Sequence, residues 1–209
     1  LEIQVYGIEV DLHQIEDQFV IFHDFQLDRL TKKRADLADL SLAQTACIRL
    51  QNNHKLPMLT DLFELVKGNC MLNLELKYIR EPHMLMQQVT QYINQYNGDV
   101  VISSFNHPLL IQLQLLIRDT KLDNNIKFAA LIGHLPVSMA QYAIDMRVDI
   151  AAIDAELVTC EFVEHAHTHN IKVWAYTVNF EAGFKKLSQM GVDAVFSNDP
   201  ALLRKYAQN

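Results

Sequence analysis

The sequence predicts an α/β fold with a parallel sheet, and three observations support this. Strand-like and helix-like segments alternate over almost the whole chain, as in folds whose parallel strands are joined by helical crossovers. The connections are short, as at residues 179–181, which is typical of regular α/β units. The 209 residues are enough for one domain with a substantial core. We therefore expect a single domain over residues 1–209.

Eight segments are short, apolar and rich in β-branched or aromatic residues, and we predict that they are strands. They cover residues 5–12, 19–22, 71–77, 100–104, 127–131, 150–153, 171–178 and 194–196. Between them, apolar residues recur at the spacing of an amphipathic helix. The predicted helices cover residues 60–66, 84–96, 108–118, 137–146, 160–169 and 180–190. Residues 25–60 are less regular, with one helix-like stretch at 42–50, and we interpret them as an excursion between two strands.

Two architectures fit this alternation, a doubly wound sheet and a barrel. A doubly wound sheet that binds a dinucleotide carries G-x-G-x-x-G after its first strand, and none of the six glycines is so arranged. If residues 19–22 form a hairpin with the first strand, seven parallel strands remain, whereas a TIM (β/α)8 barrel has eight and runs to about 250 residues. One more βα unit of about 30 residues before residue 1 would supply both deficits. We therefore predict a TIM (β/α)8 barrel whose first βα unit is absent from the given sequence.

Composition and charge exclude several classes of partner. The formal net charge is −7, so a nucleic-acid backbone would be repelled on average. No apolar run approaches the ~20 residues that span a bilayer.

The three cysteines are widely spaced and odd in number, which indicates reduced thiols rather than a disulfide framework. We expect a cytoplasmic protein, although the sequence before residue 1 is not seen and a removed signal peptide would also fit.

Charged side chains alternate with aliphatic ones in two of the predicted strands. Glu9 and Asp11 share one face of the first strand, and Asn73, Glu75 and Lys77 share one face of the third. Parallel strands in α/β folds are covered on both sides, so the aliphatic face should pack on helices. The charged face must then point into the barrel, near the carboxyl ends of the strands where such barrels place their chemistry.

Three carboxylates in one confined space repel each other and lose hydration, at a scale of several kcal/mol per ion. A divalent cation offsets this best, and carboxylate oxygens suit a hard ion such as Mg²⁺ or Ca²⁺. We therefore expect Glu9, Asp11 and Glu75 to bind one of these ions. The alternative is an ion-pair network of the same carboxylates with Lys77 and no metal.

The same residues carry a family resemblance. In order, the motifs are GIEVD at 7–11, VIFHD at 20–24, LDR at 27–29, LNLELK at 72–77, VISSFN at 101–106, WAYTVN at 174–179 and GVDAVFSNDP at 191–200. Together they resemble the glycerophosphodiester phosphodiesterase family, from about residue 7 to residue 203. Each motif alone is weak, but the ordered set of E-x-D, H-D and E-x-K is specific.

The resemblance implies a role for each matching residue. The two carboxylates of E-x-D and the glutamate of E-x-K, here Glu9, Asp11 and Glu75, would bind the metal. The histidine of H-D, here His23, would be a catalytic acid or base. The lysine of E-x-K, here Lys77, would hold the phosphate and stabilise the transition state.

Aromatic residues of the later motifs are expected to line the substrate pocket. The resemblance points to Tyr176, at a position where many members of the family have tryptophan. Trp174 lies on the same strand face, and Phe105 follows the end of another strand. We expect all three to contact the substrate.

The implied activity is the metal-dependent hydrolysis of glycerophosphodiesters to glycerol 3-phosphate and an alcohol, as a phosphoric diester hydrolase of lipid and glycerol metabolism. Hydroxyl attack would give a cyclic phosphate that is then hydrolysed. Family members also begin with a histidine-arginine-glycine motif that supplies a second catalytic histidine, and nothing before Gly7 matches it. We expect that the given sequence is an incomplete representation of a longer protein. The alternatives are a lysophospholipase D-like enzyme and, if the chain is natively truncated, a barrel that binds a phosphate ligand without catalysis.

Overall fold

The computed structural model describes residues 5–31, 33–93, 96–118, 126–201 and 203. Strands and helices alternate as predicted. The strands are β1 (Gly7–Ile15), β2 (Gln18–Ile21), β3 (Met71–Tyr78), β4 (Val100–Ser104), β5 (Ile126–Ile132), β6 (Ile150–Asp154), β7 (Lys172–Tyr176) and β8 (Ala194–Val195). The helices are α1 (Leu42–Ala46), α2 (Leu59–Val66), α3 (Pro82–Ile93), α4 (His107–Ile117), α5 (Gln141–Met146), α6 (Cys160–Thr168) and α7 (Glu181–Gln189).

Several predicted boundaries differ from the structure by three or four residues, and two of these differences have a direct backbone explanation. Strand β1 continues three residues past the predicted end at Leu12, because Leu12 to Ile15 pair antiparallel with β2. Helix α5 begins at Gln141 rather than at residue 137. Met139 has a φ of 51°, a left-handed backbone conformation that cannot continue a right-handed helix.

The residues form two compact units, and the first comprises residues 7–102 and 112–126. Its strands lie in the order β2-β1-β3-β4. Strand β2 is antiparallel to β1, as predicted for residues 19–22, and β3 is parallel to β1. The alternate aliphatic residues of β3 are fully buried, as expected for the covered face of a parallel sheet. They are Leu72, Leu74 and Leu76.

The excursion at residues 25–60 packs on the β1–β2 hairpin through a small apolar core. Buried residues of the hairpin and the excursion form one cluster, which holds the loop after β2 in place. A short 3-10 helix at Leu37–Asp39 contributes to it. Its buried members are Ile15, Val20, Phe22, Leu27, Leu37, Ile48 and Leu56.

The second unit comprises residues 1–6, 103–111 and 127–209. Strands β5, β6, β7 and β8 are neighbours in that order, and each pair is parallel. Two aspartates each link the turn before one strand to the neighbouring strand. Asp149 precedes β6 and accepts from the backbone N–H of Phe128 at 2.8 Å, and Asp193 precedes β8 and accepts from that of Val173 at 2.7 Å.

Candidate active site

Three carboxylates converge where β1 and β3 lie side by side. The register places Glu9 beside Asn73 and Asp11 beside Glu75. Because residues in register on parallel strands point to the same face, the four side chains form a compact patch. The carboxylate oxygens of Glu9, Asp11 and Glu75 lie within 4.8 Å of one another. The structure therefore brings together the three residues that the sequence predicted as metal ligands.

Lys77 lies within this cluster and pairs with two of its members. Its Nζ is 3.1 Å from Oδ1 of Asp11 and also donates to Oε1 of Glu75. Burial opposes the ammonium charge, but these contacts prevail and raise the pKa of Lys77. The ion-pair network considered from the sequence is thus present in part. One ammonium cannot neutralise three ionised carboxylates, however. With all three ionised, the cluster keeps a net negative charge that favours binding of a further cation.

Electrostatic strain is concentrated on Glu9. Part of Glu9 is in contact with solvent, yet its carboxyl is desolvated by the surrounding protein and repelled by Asp11 and Glu75, and its pKa rises to about 8. Burial also raises the pKa of Glu75, against the opposing effect of Lys77. Hard oxygen donors that are costly to ionise together fit a divalent cation such as Mg²⁺ or Ca²⁺.

The raised pKa of Glu9 predicts how the stability of the metal-free protein depends on pH. A folded-state pKa of about 8, above the ordinary value of 4.5, means that folding favours the protonated carboxyl. Stability from this group is fully present below pH 4.5 and is lost as the pH rises through 8. In EDTA, the Glu9→Gln variant should therefore melt above the wild type at pH values over 8 and equal to it below 4.5. Thermal unfolding checks this, and equal melting temperatures at high pH would show that Glu9 is not under strain.

His23 lies after β2, and its ring is oriented by Asp24, which forms an ion pair with Arg29. Its Nδ1 lies 2.6 Å from Oδ1 of Asp24, and Asp24 accepts from Nε and Nη2 of Arg29 at 2.6 and 3.0 Å. Hydrogen bonds from Arg29 and His23 lower the pKa of Asp24 to about 2. An ionised carboxylate at Nδ1 favours the tautomer that carries its proton there, which leaves Nε2 free as a proton acceptor.

His13 packs against the loop that carries His23. It lies two residues past Asp11, is almost fully buried, and burial lowers its pKa so that the neutral ring is favoured. The ring lies against the backbone of His23 and packs edge-on against Phe25, with ring centroids 5.2 Å apart. His13 therefore fixes the segment from which His23 projects.

The three predicted pocket aromatics lie in the second unit and form their own cluster. Tyr176 packs edge-on against Phe105 at 5.9 Å, and its hydroxyl donates to the carbonyl of Ile132 at 2.6 Å. Trp174 packs against Phe196, with centroids 5.7 Å apart. Phe105 is half-exposed, whereas Trp174 is almost fully buried. The side chain of Phe105 is therefore more accessible to a ligand than that of Trp174.

Sequence reasoning assigned no role to Asp24 and Arg29, although both lie in motifs that carried the resemblance. The adjacency of His23 and Asp24 was visible, and so was the basic residue five positions later. Their mutual contacts depend on how residues 24–29 fold back, which no local periodicity encodes. A histidine followed by an acid and then an arginine is the signal that could have found them.

The chain as a whole resembles known phosphodiesterases. The model of the glycerophosphoryl diester phosphodiesterase family matches residues 2–202. A glycerophosphodiester phosphodiesterase of Caldanaerobacter subterraneus is 25% identical, over 97% of this chain and 86% of the relative. A human lysophospholipase D is 22% identical, over 97% and 77% respectively.

Solved structures share the fold. A phosphodiesterase of Oleispira antarctica, determined in complex with the product sn-glycerol-3-phosphate, superposes with a TM-score of 0.85. The sequences are 22% identical, and the match covers 98% of this chain and 86% of the other. The α/β fold and the family match define a phosphoric diester hydrolase. The chain belongs to the glycerophosphoryl diester phosphodiesterase family, which confirms the resemblance drawn from its motifs.

Proposed function

We propose that the protein hydrolyses glycerophosphodiesters to glycerol 3-phosphate and an alcohol, with Mg²⁺ or Ca²⁺ held by Glu9, Asp11 and Glu75. The observation that carries the proposal is the convergence of these carboxylates within 4.8 Å, beside Lys77, in a chain of this family. The donor set is made of hard oxygens only, as these ions prefer. The substrate is a small molecule.

Lys77 and His23 are proposed to act on the phosphodiester. A bound divalent cation supplies Lewis-acid withdrawal of charge from the phosphate. The Nζ of Lys77 neutralises negative charge that grows on the phosphate oxygens in the transition state. The Nε2 of His23 takes a proton from the attacking hydroxyl or returns one to the leaving oxygen, while Asp24 holds the Nδ1 proton.

The remaining site residues complete the proposal. Phe105, Trp174 and Tyr176 are proposed to contact the substrate, as the motifs imply. The TIM (β/α)8 barrel also stays a proposal. In its support, β1 pairs over residues 7–10 with β3 alone, as far as the described residues show, so that edge can accept another strand.

Removal of the metal tests the function directly. The purified protein should release glycerol 3-phosphate from glycerophosphocholine, lose this activity in EDTA, and regain it with excess Mg²⁺ or Ca²⁺. A coupled glycerol 3-phosphate dehydrogenase assay measures the product. Turnover that survives EDTA would refute the cation, and binding of glycerol 3-phosphate without turnover would favour the non-catalytic alternative.

A second candidate is a lysophospholipase D activity at the same site. It is favoured by the human relative of that name, which matches 97% of this chain. Comparing kcat/KM for lysophosphatidylcholine and glycerophosphocholine separates the two, because only the former carries an acyl chain.

Among the described residues, no helix has the length and apolar character of a membrane span. The cytoplasmic location stays a prediction.

A further inference from the structure

Asn73 is a buried polar residue for which the proposed reaction has no use. It is 1% exposed, and neither the oxygen nor the nitrogen of its side-chain amide has a hydrogen-bond partner. A buried amide without hydrogen-bond partners destabilises the folded protein relative to an apolar side chain of similar size. Folding stability therefore gives no reason for an asparagine at this position, and such exceptions often mark functional sites.

The register places this amide beside the carboxylate cluster. Asn73 is the partner of Glu9 across the β1–β3 pair, and Glu75 lies two residues further on the same face of β3. Lys77 forms ion pairs with Asp11 and Glu75. Among the described residues, the Glu9 carboxylate has neither a hydrogen bond nor an ion pair. An ionised carboxylate only accepts hydrogen bonds, and an asparagine amide offers two donors.

We propose that Asn73 is a positioning residue for the cation site, whose Nδ2 donates to the Glu9 carboxylate when a divalent cation is bound. This inference rests on the proposed cation site. One oxygen of Glu9 would then serve the cation, and the amide of Asn73 would orient the carboxylate through the other. Carboxylates that bind metals are themselves held by such outer hydrogen bonds, and losing one typically weakens metal affinity by 10- to 100-fold.

The Asn73→Leu variant tests the proposal with two readouts. The dissociation constant for Mn²⁺, measured by electron paramagnetic resonance, should rise by about 10- to 100-fold. The melting temperature in EDTA should stay the same or rise, because an unpartnered amide is replaced by an apolar group. Turnover at saturating Mn²⁺ should return close to that of the wild type, because a positioning residue does not touch the substrate. Asn73→Ala should weaken Mn²⁺ binding similarly if the leucine variant does not fold.

Leu74→Met is the matched control, because Leu74 is equally buried on the opposite face of the same strand and this change conserves volume. It should leave Mn²⁺ affinity unchanged. Unchanged Mn²⁺ affinity in the Asn73 variants would overturn the positioning role, and a lower melting temperature in EDTA with unchanged affinity would assign Asn73 to the fold instead. If the wild type itself fails to bind Mn²⁺, or Glu75→Gln binds it as well as the wild type does, the cation site is wrong and this inference falls with it.

Discussion

Replacing Glu75 with glutamine should abolish divalent-cation binding and reduce phosphodiester turnover by ~10³-fold or more. Glutamine keeps the size of the side chain but removes the charge and one strong oxygen donor. The oxygens that remain, from Glu9 and Asp11, lie on a single strand and no longer enclose the site from both sides. Mn²⁺ titration and the rate of glycerol 3-phosphate release measure the two effects.

The loss should not come from unfolding. Burial raises the pKa of Glu75, so its charged form is costly in the metal-free protein, and Lys77 keeps its contact with Asp11 in the variant. The melting temperature in EDTA should therefore be at least that of the wild type. Glu64→Gln is a matched control, because Glu64 is an exposed glutamate on α2 of the same unit. Turnover retained by Glu75→Gln would refute its assignment as a ligand.

Replacing His23 with alanine should reduce turnover by about 100-fold or more while leaving cation affinity unchanged. The imidazole is proposed to transfer protons rather than to bind the cation, so only the chemical step loses its acid or base. Added imidazole should restore part of the activity, because the space left by the side chain is open to solvent. Steady-state kcat and Mn²⁺ affinity are the measurements.

His83→Ala provides the control for this variant. The side chains of His23 and His83 are 65% and 64% exposed, and each lies beside an acid. His83 has no proposed role, so its loss should leave kcat unchanged. Asp24→Asn should fall between these results, since it keeps the imidazole but weakens control of the tautomer. Equal kcat for His23→Ala and the wild type would remove His23 from the mechanism.

Local periodicity was enough to predict most of the secondary structure. The strand at residues 71–77 and the helix at 160–169 differ from the structure by one residue each. The hairpin of β1 and β2 was also predicted. The predictions were weakest in the excursion, where the helix-like stretch at 42–50 forms a helix only over Leu42–Ala46. Its backbone is held by tertiary packing of apolar residues that are scattered in sequence.

The sequence by itself determined that Glu9 and Asp11 share one face of a strand and that Asn73, Glu75 and Lys77 share one face of another. This follows from the alternation of side chains along an extended backbone, which is a local property. Only the tertiary structure decided that β1 and β3 are neighbours, that Asp11 lies beside Glu75, and that Asn73 is left without a partner. Strand order and register depend on how the apolar faces pack across long separations in the chain, which no local pattern records.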